Sequence, residues 1–469
     1  MLTQNAFCIF ATIIFIDIMS HQKNITIAGA GLVGTLLSIF LSKRGHRVKL
    51  YERRNDMRKS NTGGGRSINL ALSDRGIAAL EKIGIYDAIQ SIALPMPGRF
   101  IHNADGSSNY QPYGKEGQFI NSVSRATLNQ LLLDKAEAAG VEIFFDSSCT
   151  QINWTTNEIS FKSAEVVSTI KADIIFGADG AFSAARLQHM LQHEKFDYQQ
   201  FYIDCGYKEL TIPATADGDF AMDPNALHIW PRKDYMLIAL PNIDKTFTCT
   251  LFFPFNGPLS FSALDTPEKI RIFFENNFAD TIPLMPTFME DFMQNPVSSL
   301  VTVKCYPWVR GDKFTLLGDA AHAIVPFFGQ GMNCGFEDCK VLDELMELYG
   351  DDWTKIFEEF QALRKPDADA IATLAVNNFI EMRDRTADPK FLLQKKIEAL
   401  LHEKYPEEWV PAYTQVTFSP HIRYSEALHN GNVQENIMQE FMQSPDIVSE
   451  WQQEQLLEKI IQRKREKIS

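Results

Sequence analysis

The chain has little of what several classes of protein require. Its seven cysteines are scattered over 469 residues, and no two of them form a C-x-x-C pair. Zinc sites and disulfide frameworks need regularly spaced cysteines, so this pattern favours reduced thiols in a cytosolic protein. Basic residues are also few, 45 against 59 acidic ones, and the formal net charge is −14. That charge argues against a nucleic acid as partner, because phosphate binding needs a basic surface.

Long apolar runs are scarce as well. Ala6–Ile18 is an apolar run of 13 residues that contains Asp17, and it is too short to span a bilayer. The run has neither the basic segment nor the small-residue cleavage site of a signal peptide. We expect translation to start at Met19, and the alternative is a segment that touches a membrane surface.

The residues that are present predict a folded globular protein, because 45% of them are hydrophobic, and the length of 469 residues predicts two or three joined domains. The strand-like runs Asn24–Ala28 and Arg47–Tyr51 flank a turn and helix that start at Gly29, which is a βαβ unit. β-rich runs with turn residues between them predict an antiparallel meander over 201–255. From Trp353 onward the pattern is mostly helical.

The first motif follows the first strand. AGAGLVG places Gly29, Gly31 and Gly34 in a G-x-G-x-x-G pattern that opens a helix. Such glycines allow a tight turn, the approach of a pyrophosphate to the backbone, and close packing of helix on strand. The second strand ends in Tyr51 and Glu52, and a carboxylate there accepts ribose hydroxyls and repels a 2′-phosphate. The motif therefore predicts a site for FAD or NAD, with an ordinary βα turn as the alternative.

A second Gly-rich motif distinguishes the two dinucleotides. In LLGDAAHA, Asp319 stands at the carboxyl end of an apolar strand, where open α/β sheets bind ligands. The helix that begins at Gly331 can stabilise negative charge at its amino end. An acid suits the ribityl chain of a flavin and a helix start suits its ring, whereas NAD has no ribityl chain. A third turn, with Asp179 in GADG, also follows a strand, and its alternative is an ordinary αβ turn.

AGAGLVG, GADGAFSAAR and LLGDAAHA, in this order, resemble the three motifs of the single-component flavin-dependent aromatic hydroxylases. The resemblance covers nearly the whole chain from Asn24, and longer strings such as HAIVPFFGQGMNCGFEDC and YTQVTFSPHIRY resemble one member of that family in particular. It implies a tightly bound FAD, transient NADPH, O2, and hydroxylation of the aromatic amino acid L-kynurenine to 3-hydroxykynurenine in tryptophan catabolism. It also implies that the oxygen chemistry takes place on a flavin hydroperoxide, without an acid, base or nucleophile from the protein.

The resemblance further implies specific contacts, residue by residue. The cofactor contacts comprise the motif residues Gly29, Gly31, Gly34 and Asp179 together with Val33, Tyr51, Glu52, Arg53, Arg54, Ala71, Arg125, Asp319, Met332 and Asn333. The substrate contacts are Arg99, Tyr113, Asn378 and Tyr413. A cation and a hydroxyl suit the α-carboxylate of an amino acid, although each of the four could be an ordinary surface or half-buried residue.

Other side chains are expected at the flavin ring or at a metal. Pro326, Phe327, Phe328 and His322 are predicted to line an aromatic slot; the phenylalanines could instead be core, and His322 is favoured as wall over base. His189 and His193 could share a helix face and bind a metal, but no third ligand is evident. We therefore expect ordinary surface histidines and no metal.

The predicted fold class is α/β, with a discontinuous Rossmann-type FAD-binding domain, an inserted antiparallel β-sheet substrate domain and C-terminal helices. The predicted pieces are an N-terminal extension at 1–23, the FAD-binding domain at 24–75, 120–197 and 300–365, the substrate domain at 76–119 and 198–299, and the helical region at 366–469. The C-terminal part is polar, so we expect no membrane anchor there and a cytoplasmic enzyme.

Three other functions fit parts of the pattern. A sister flavoenzyme could act on another aromatic acid, and Arg99 and Tyr113 disfavour a lipid substrate. A non-catalytic flavoprotein would bind FAD without oxidising NADPH. An NAD-dependent dehydrogenase would use only the first motif, and bound FAD would exclude it.

Overall fold

The computed structural model describes residues 22–59, 69–384 and 389–468. The N-terminal apolar run and the expected start at Met19 lie outside the described residues. In chain order the strands are β1 (Asn24–Ala28), β2 (Arg47–Tyr51), β3 (Asn69–Leu72), β4 (Ala93–Met96), β5 (Gly98–His102), β6 (Ser108–Pro112), β7 (Ile120–Ser124), β8 (Glu142–Phe144), β9 (Ser148–Asn153), β10 (Glu158–Ser163), β11 (Val166–Lys171), β12 (Ile174–Gly177), β13 (Asp197–Ile212), β14 (Ala226–Arg232), β15 (Tyr235–Pro241), β16 (Phe247–Pro254), β17 (Ser298–Tyr306), β18 (Val309–Arg310) and β19 (Phe314–Leu316).

The α-helices of the described residues, in the same order, are α1 (Leu32–Lys43), α2 (Asp74–Lys82), α3 (Tyr86–Gln90), α4 (Arg125–Ala138), α5 (Ala184–Leu191), α6 (Pro267–Asn277), α7 (Phe288–Gln294), α8 (Asp319–His322), α9 (Gly331–Tyr349), α10 (Trp353–Asp384), α11 (Pro389–Lys404), α12 (Ala412–Phe418), α13 (Tyr424–Phe441), α14 (Ile447–Glu450) and α15 (Glu454–Ile468). Two short 3₁₀ helices cover Ile282–Leu284 and Pro326–Phe328.

A six-stranded sheet in the order β18-β19-β12-β1-β2-β8 contains the predicted βαβ unit. All its neighbouring strands run parallel except β18 and β19. Apolar side chains are buried along β1 and β12, among them Ile25, Ile27, Ile175 and Phe176. Continuous burial of this kind is typical of a parallel sheet that is covered on both faces. The carboxyl ends of β1, β2, β12 and β19 therefore meet at one edge, and each is followed by a residue predicted for the cofactor.

A seven-stranded sheet in the order β17-β13-β16-β15-β14-β5-β6 contains the predicted meander, β14 to β16. Its neighbours are antiparallel except for the parallel pair β14 and β5, which the sequence did not indicate. Strand β15 alternates: Leu237 and Ala239 belong to the hydrophobic core shared with α6 and α7, whereas Met236 and Ile238 face the other side. One face of this sheet is thus core, and the other is free to form a cavity wall.

Two three-stranded sheets, β3-β7-β4 and β11-β10-β9, complete the β-structure of the described residues. Helices α10 to α15 form the C-terminal part, and α11, α13 and α15 enclose a separate core that includes Trp409. The α/β class, the parallel sheet with an antiparallel insertion, and the C-terminal helices are confirmed. The domain boundaries stay a prediction.

Two histidines join β5 to β14. His102 Nε2 lies 3.0 Å from His228 Nδ1, and the His102 ring stacks on Trp230 at 4.1 Å between centroids. Burial, and then the nearby His228, lowers the pKa of His102 to about 4, although Asp280 opposes the shift; burial also lowers the pKa of His228. The unfolded chain binds protons at these residues from about pH 6.5 downward, whereas the folded chain resists them. The free energy of unfolding therefore falls as the pH drops from 6.5 toward 4.

Replacing His102 with glutamine tests this pH dependence. The amide can still donate to His228 but does not titrate, so we expect a loss of stability between about pH 7 and pH 4.5 that is smaller by on the order of 1 kcal/mol. Urea unfolding at both pH values measures it. The exposed His421→Gln is the control and should keep the wild-type pH dependence, whereas equal dependence in all three proteins would contradict the prediction.

Candidate active site

A large cavity of about 670 Å³ among the described residues is lined by most of the predicted site residues. Its walls include the carboxyl edge of the parallel sheet, the free face of the seven-stranded sheet, the segment 323–330 and the C-terminal helix α12. The predicted residues that line it are Gly29, Gly31, Val33, Tyr51, Glu52, Arg53, Arg54, Ala71, Arg99, Tyr113, Arg125, Asp179, Asp319, Pro326, Phe327, Phe328, Met332 and Tyr413. Gly34, His322, Asn333 and Asn378 do not line it.

Each of the three motif glycines lacks a side chain for a different local reason. Gly29 has φ +105°, and a Cβ on it would lie 2.4 Å from the carbonyl oxygen of Ala178. A Cβ on Gly34 would lie 2.0 Å from the carbonyl oxygen of Gly29, so the packing of α1 on the turn excludes it. A Cβ on Gly31 would meet no atom within 4 Å and would extend into the cavity. The turn thus leaves space above Gly31 at the amino end of α1, which fits a pyrophosphate.

Glu52 is held in place at the end of β2. Its Oε2 accepts a hydrogen bond from the Ala30 N–H at 3.0 Å, and its Oε1 accepts one from the Arg54 N–H at 3.0 Å. The adjacent Tyr51 ring stacks on Phe161 at 3.8 Å between centroids. A half-buried carboxylate that is fixed by backbone donors still has lone pairs for ribose hydroxyls. This geometry fits the adenosine end of FAD.

The second motif places Asp319 on a sharp turn. Gly318 has φ +58° and precedes α8, so Asp319 is exposed at the first position of that helix and lines the cavity. Its carboxylate has no hydrogen bond or ion pair to the described residues and is available to a ligand hydroxyl. Helix α9 begins beside it at Gly331, and its first N–H groups have no carbonyl partner within the helix. An acid for the ribityl chain and a helix start for the ring lie together here.

The side chains of Asn333 and Asp179 form hydrogen bonds with other residues of the protein. The Asn333 side chain accepts from the Ser73 N–H at 3.0 Å and donates to the carbonyls of Ala71 and Gly329 at 2.8 and 2.9 Å. It fastens β3 to the start of α9, which leaves the backbone N–H of Asn333 for a ligand. Asp179 accepts from the N–H groups of Ala184 and Ala185 at 2.7 and 3.0 Å and so caps α5. Its carboxylate secures the turn that lines the cavity.

The predicted substrate residues fall into two groups. Arg99, Tyr113 and Tyr413 line the cavity together, and the rings of Tyr113 and Tyr413 stack at 5.6 Å between centroids. The Tyr113 hydroxyl is buried and has no hydrogen-bond partner in the described residues. Burial raises the pKa of Tyr113 well above its usual value and that of Tyr413 to about 12, so both hydroxyls remain protonated donors. An unpaired buried donor beside a guanidinium fits a carboxylate.

Asn378 differs from the prediction. It lies on α10 outside the cavity wall, and its Nδ2 donates to the carbonyl of Phe327 at 2.6 Å. The side chain therefore supports the backbone of the aromatic wall from behind. In that wall Phe327 packs between Phe252 and Phe379 at 5.0 and 4.4 Å, and Phe328 stacks on Tyr413 at 5.4 Å.

His322 is not a wall residue. Its Nε2 lies 2.6 Å from Asp338 Oδ2, and Asp338 also accepts from the Gly318 N–H at 3.0 Å and from Arg364 Nε at 2.7 Å. Burial lowers the pKa of His322, but Asp338 and Cys334 together raise it more, so that pKa lies well above its usual value. His322, Cys334 and Asp338 have the spacing of a metal site in the described residues. Because Arg364 occupies the carboxylate, this group is an ion-pair network that stabilises the turn before Asp319.

The second histidine pair also differs from the expectation. His189 is fully buried rather than on the surface, with its ring against Trp154, Phe196 and Phe314. Burial, and then His193, lowers the pKa of His189 to about 4, so the ring is neutral and acts as a core residue. His193 lies two residues beyond the end of α5, with its ring centroid 5.3 Å from that of His189, and no third ligand joins the pair in the described residues.

Sequence reasoning missed several cavity residues. Met236, Ile238 and Leu240 line the cavity from alternate positions of β15, and the period-two pattern of YMLIAL could have indicated them. Gln330 also lines it, and its position between two motif glycines was a usable signal.

Comparison with known proteins agrees with this geometry. A family model described as an FAD binding domain matches residues 22–373. Kynurenine 3-monooxygenase of Flavobacterium psychrophilum is 50% identical over 447 residues, 95% of this chain and 99% of that protein. Those of Dictyostelium discoideum and Sus scrofa are each 44% identical, over 91% and 87% of this chain and 94% and 86% of their own lengths. The chain belongs to the kynurenine 3-monooxygenase family.

Solved structures show the same fold at lower identity. The tetrameric form of 2-methyl-3-hydroxypyridine-5-carboxylic acid oxygenase matches with a TM-score of 0.66 and 19% identity, over 86% of this chain and 98% of its own. PqsL of Pseudomonas aeruginosa, a probable FAD-dependent monooxygenase, matches with 0.62 and 18% over 79% and 99%. As a member of the kynurenine 3-monooxygenase family, the chain is an FAD-dependent monooxygenase. None of its described helices has an apolar stretch long enough to cross a membrane.

Proposed function

We propose that this protein hydroxylates L-kynurenine to 3-hydroxy-L-kynurenine with NADPH and O2. The observation that supports the substrate is the pairing of Arg99 with the unpartnered Tyr113 hydroxyl in a cavity that is also lined by aromatic and aliphatic residues, among them Phe327, Phe328 and Ile238. An amino acid with an aromatic side chain satisfies both parts, because its carboxylate meets the donors and its ring meets the apolar wall.

FAD would be held along the parallel sheet by the residues that line the cavity there. The open space over Gly31 would admit the pyrophosphate, and the carboxylates of Glu52 and Asp319 would accept hydrogen bonds from the ribose and the ribityl chain. When bound, FAD supplies the hydride acceptor and the site of oxygen activation. The first N–H groups of α9 would stabilise negative charge on the bound flavin.

The protein's own contribution is orientation and exclusion of water. Arg99 and the hydroxyls of Tyr113 and Tyr413 hold the carboxylate end of the substrate. Phe327 and Phe328, supported by their aromatic neighbours, cover the reacting end and keep bulk water away. Water there would favour loss of reduced oxygen as peroxide, so the wall determines how much NADPH consumption leads to product.

We also propose a cytoplasmic location without nucleic acid partners. The six described cysteines are all free thiols, five of them buried, as in a protein of a reducing compartment. The net charge of −14 opposes binding to nucleic acid. Cell fractionation with immunodetection tests the location.

The function is tested by following NADPH oxidation at 340 nm in air, with and without L-kynurenine, and by separating the products. We expect a yellow protein whose NADPH consumption depends on kynurenine and yields the 3-hydroxylated product. Peroxide without hydroxylated product would show that kynurenine is only an effector. A flavin-loaded protein that consumes no NADPH with any aromatic amino acid would overturn the proposal.

A further inference from the structure

A buried set of polar contacts connects the C-terminal helices to the cavity wall. Gln330 lines the cavity but is only 2% exposed. Its Oε1 accepts a hydrogen bond from the Tyr424 hydroxyl at 2.8 Å, and its Nε2 donates to Ser73 Oγ at 3.3 Å. Tyr424 is the first residue of α13 and is fully buried. One side chain of the wall is thus held by a residue 94 positions later in the chain.

Tyr424 is itself held rigidly. The Arg75 guanidinium lies 4.0 Å from the centroid of its ring, a cation–π contact that is buried on both sides. Arg75 donates to the Val416 carbonyl at 2.8 Å and to Glu337 Oε1 at 2.7 Å. These bonds join α2, α9 and α12, and α12 carries Tyr413 into the cavity. The hydroxyl of Tyr424 therefore meets Gln330 from a fixed position.

We propose that Tyr424 is a positioning residue of the reaction, and that its hydroxyl keeps the Gln330 side chain against the cavity wall. The proposal rests on the proposed function. Without the hydroxyl, the buried amide oxygen loses its partner, and a buried polar group without a partner is costly. The amide then turns toward polar groups in the cavity and intrudes on the space beside Phe328, where the substrate ring must lie.

A misplaced substrate ring diverts oxygen from hydroxylation to peroxide. Each of these two reactions has a balanced equation. In the productive reaction, NADPH, a proton, O2 and the ring C–H give NADP⁺, water and the ring C–OH. In the unproductive one, NADPH, a proton and O2 give NADP⁺ and hydrogen peroxide. The ratio of hydroxylated product to peroxide therefore reports ring position, independently of how fast NADPH is oxidised.

The variant Tyr424→Phe deletes only the hydroxyl and leaves the ring under Arg75. We expect unchanged FAD content and a fall of about three- to tenfold in the ratio of product to peroxide, the factor that the loss of about one hydrogen bond produces. The matched control is Tyr235→Phe, which removes a tyrosine hydroxyl that donates to Asn277 Oδ1 at 2.7 Å, away from the cavity lining. This control should retain the wild-type ratio.

A double-mutant cycle separates positioning from general destabilisation. In a Gln330→Ala background, Tyr424→Phe should not lower the ratio of product to peroxide any further, because the hydroxyl acts through Gln330. The proposal would be overturned if Tyr424→Phe lowered this ratio equally in that background, or if Tyr424→Phe alone kept the wild-type ratio. If Tyr424→Phe does not fold, Ser73→Ala removes the other bond of Gln330 and must lower the same ratio. Failure of the proposed function is distinguishable, since the wild type itself would then form no product.

Discussion

Replacing Arg99 with alanine is expected to lower kcat/KM for L-kynurenine about a hundredfold, with most of the change in KM. Arg99 Nε donates to Gln111 Oε1 at 3.2 Å, which aims the guanidinium, and its terminal nitrogens have no hydrogen bond to the described residues. A charge-assisted pair with the substrate carboxylate contributes about 1.5–3 kcal/mol, and each 1.36 kcal/mol is a factor of ten. Steady-state kinetics of NADPH oxidation and product formation measure the effect.

Three comparisons make this result specific. Arg99→Lys keeps the charge but loses the planar fork, so it should recover only part of the activity. Arg271→Ala removes an exposed arginine of α6 and should behave as wild type. An analogue of kynurenine without its α-carboxylate should be used equally by wild type and Arg99→Ala. A comparable loss with that analogue would mean that Arg99 does not bind the carboxylate.

Gly31→Ala is expected to weaken FAD binding without lowering stability, whereas Gly34→Ala is expected to lower the stability of the apoprotein. Gly31 has φ −72° and ψ −178°, which alanine adopts freely, and its Cβ would meet no protein atom within 4 Å. Gly31→Ala should therefore fold with an unchanged Tm as apoprotein. Its Kd for FAD should rise about ten- to hundredfold, because the methyl group takes space that the pyrophosphate needs and such overpacking costs about 1–3 kcal/mol.

Gly34→Ala places a methyl group 2.0 Å from the carbonyl oxygen of Gly29, so α1 must move away from the turn. We expect a large fall in the Tm of the apoprotein, or no folded protein, before FAD binding is considered. Thermal unfolding of the apoprotein and titration with FAD, followed by flavin fluorescence, separate the two effects. A Gly31→Ala protein that is unstable but binds FAD normally would contradict this assignment of the two glycines.

Much of the fold was predictable because its signals are local. The strand 24–28 and the helix after Gly31 follow from apolar runs and glycines within about 20 residues, and the meander follows from period-two patterns between turns. Strands β9 to β11 were not predicted. Strands β9 and β11 are largely exposed or half-buried with a weak apolar pattern, whereas in β10 the buried Ile159 and Phe161 alternate, and this period-two pattern was a usable signal. The parallel pairing of β5 with β14 was also invisible, since the two strands are more than 100 residues apart in the chain.

The site was predictable where the backbone itself makes the contact. The turn at Gly29–Gly34 and the acid at Glu52 lie on the cavity because each directly follows a strand whose carboxyl end reaches it. The directions of the side chains were harder to predict. Asn333 turns to Ser73, 260 residues earlier, and Asn378 turns to the carbonyl of Phe327. Residue type and spacing do not reveal such distant partners.

The sequence by itself determined the α/β class, the flavin-type motifs and the family, because strand period, glycine conformation and motif spacing are set within short segments. Only the tertiary structure decided that His322 belongs to a buried ion-pair network rather than to the wall, and that Tyr424 reaches Gln330. The physical reason is that a buried polar side chain must find a partner, and the nearest partner is supplied by whichever element packs beside it.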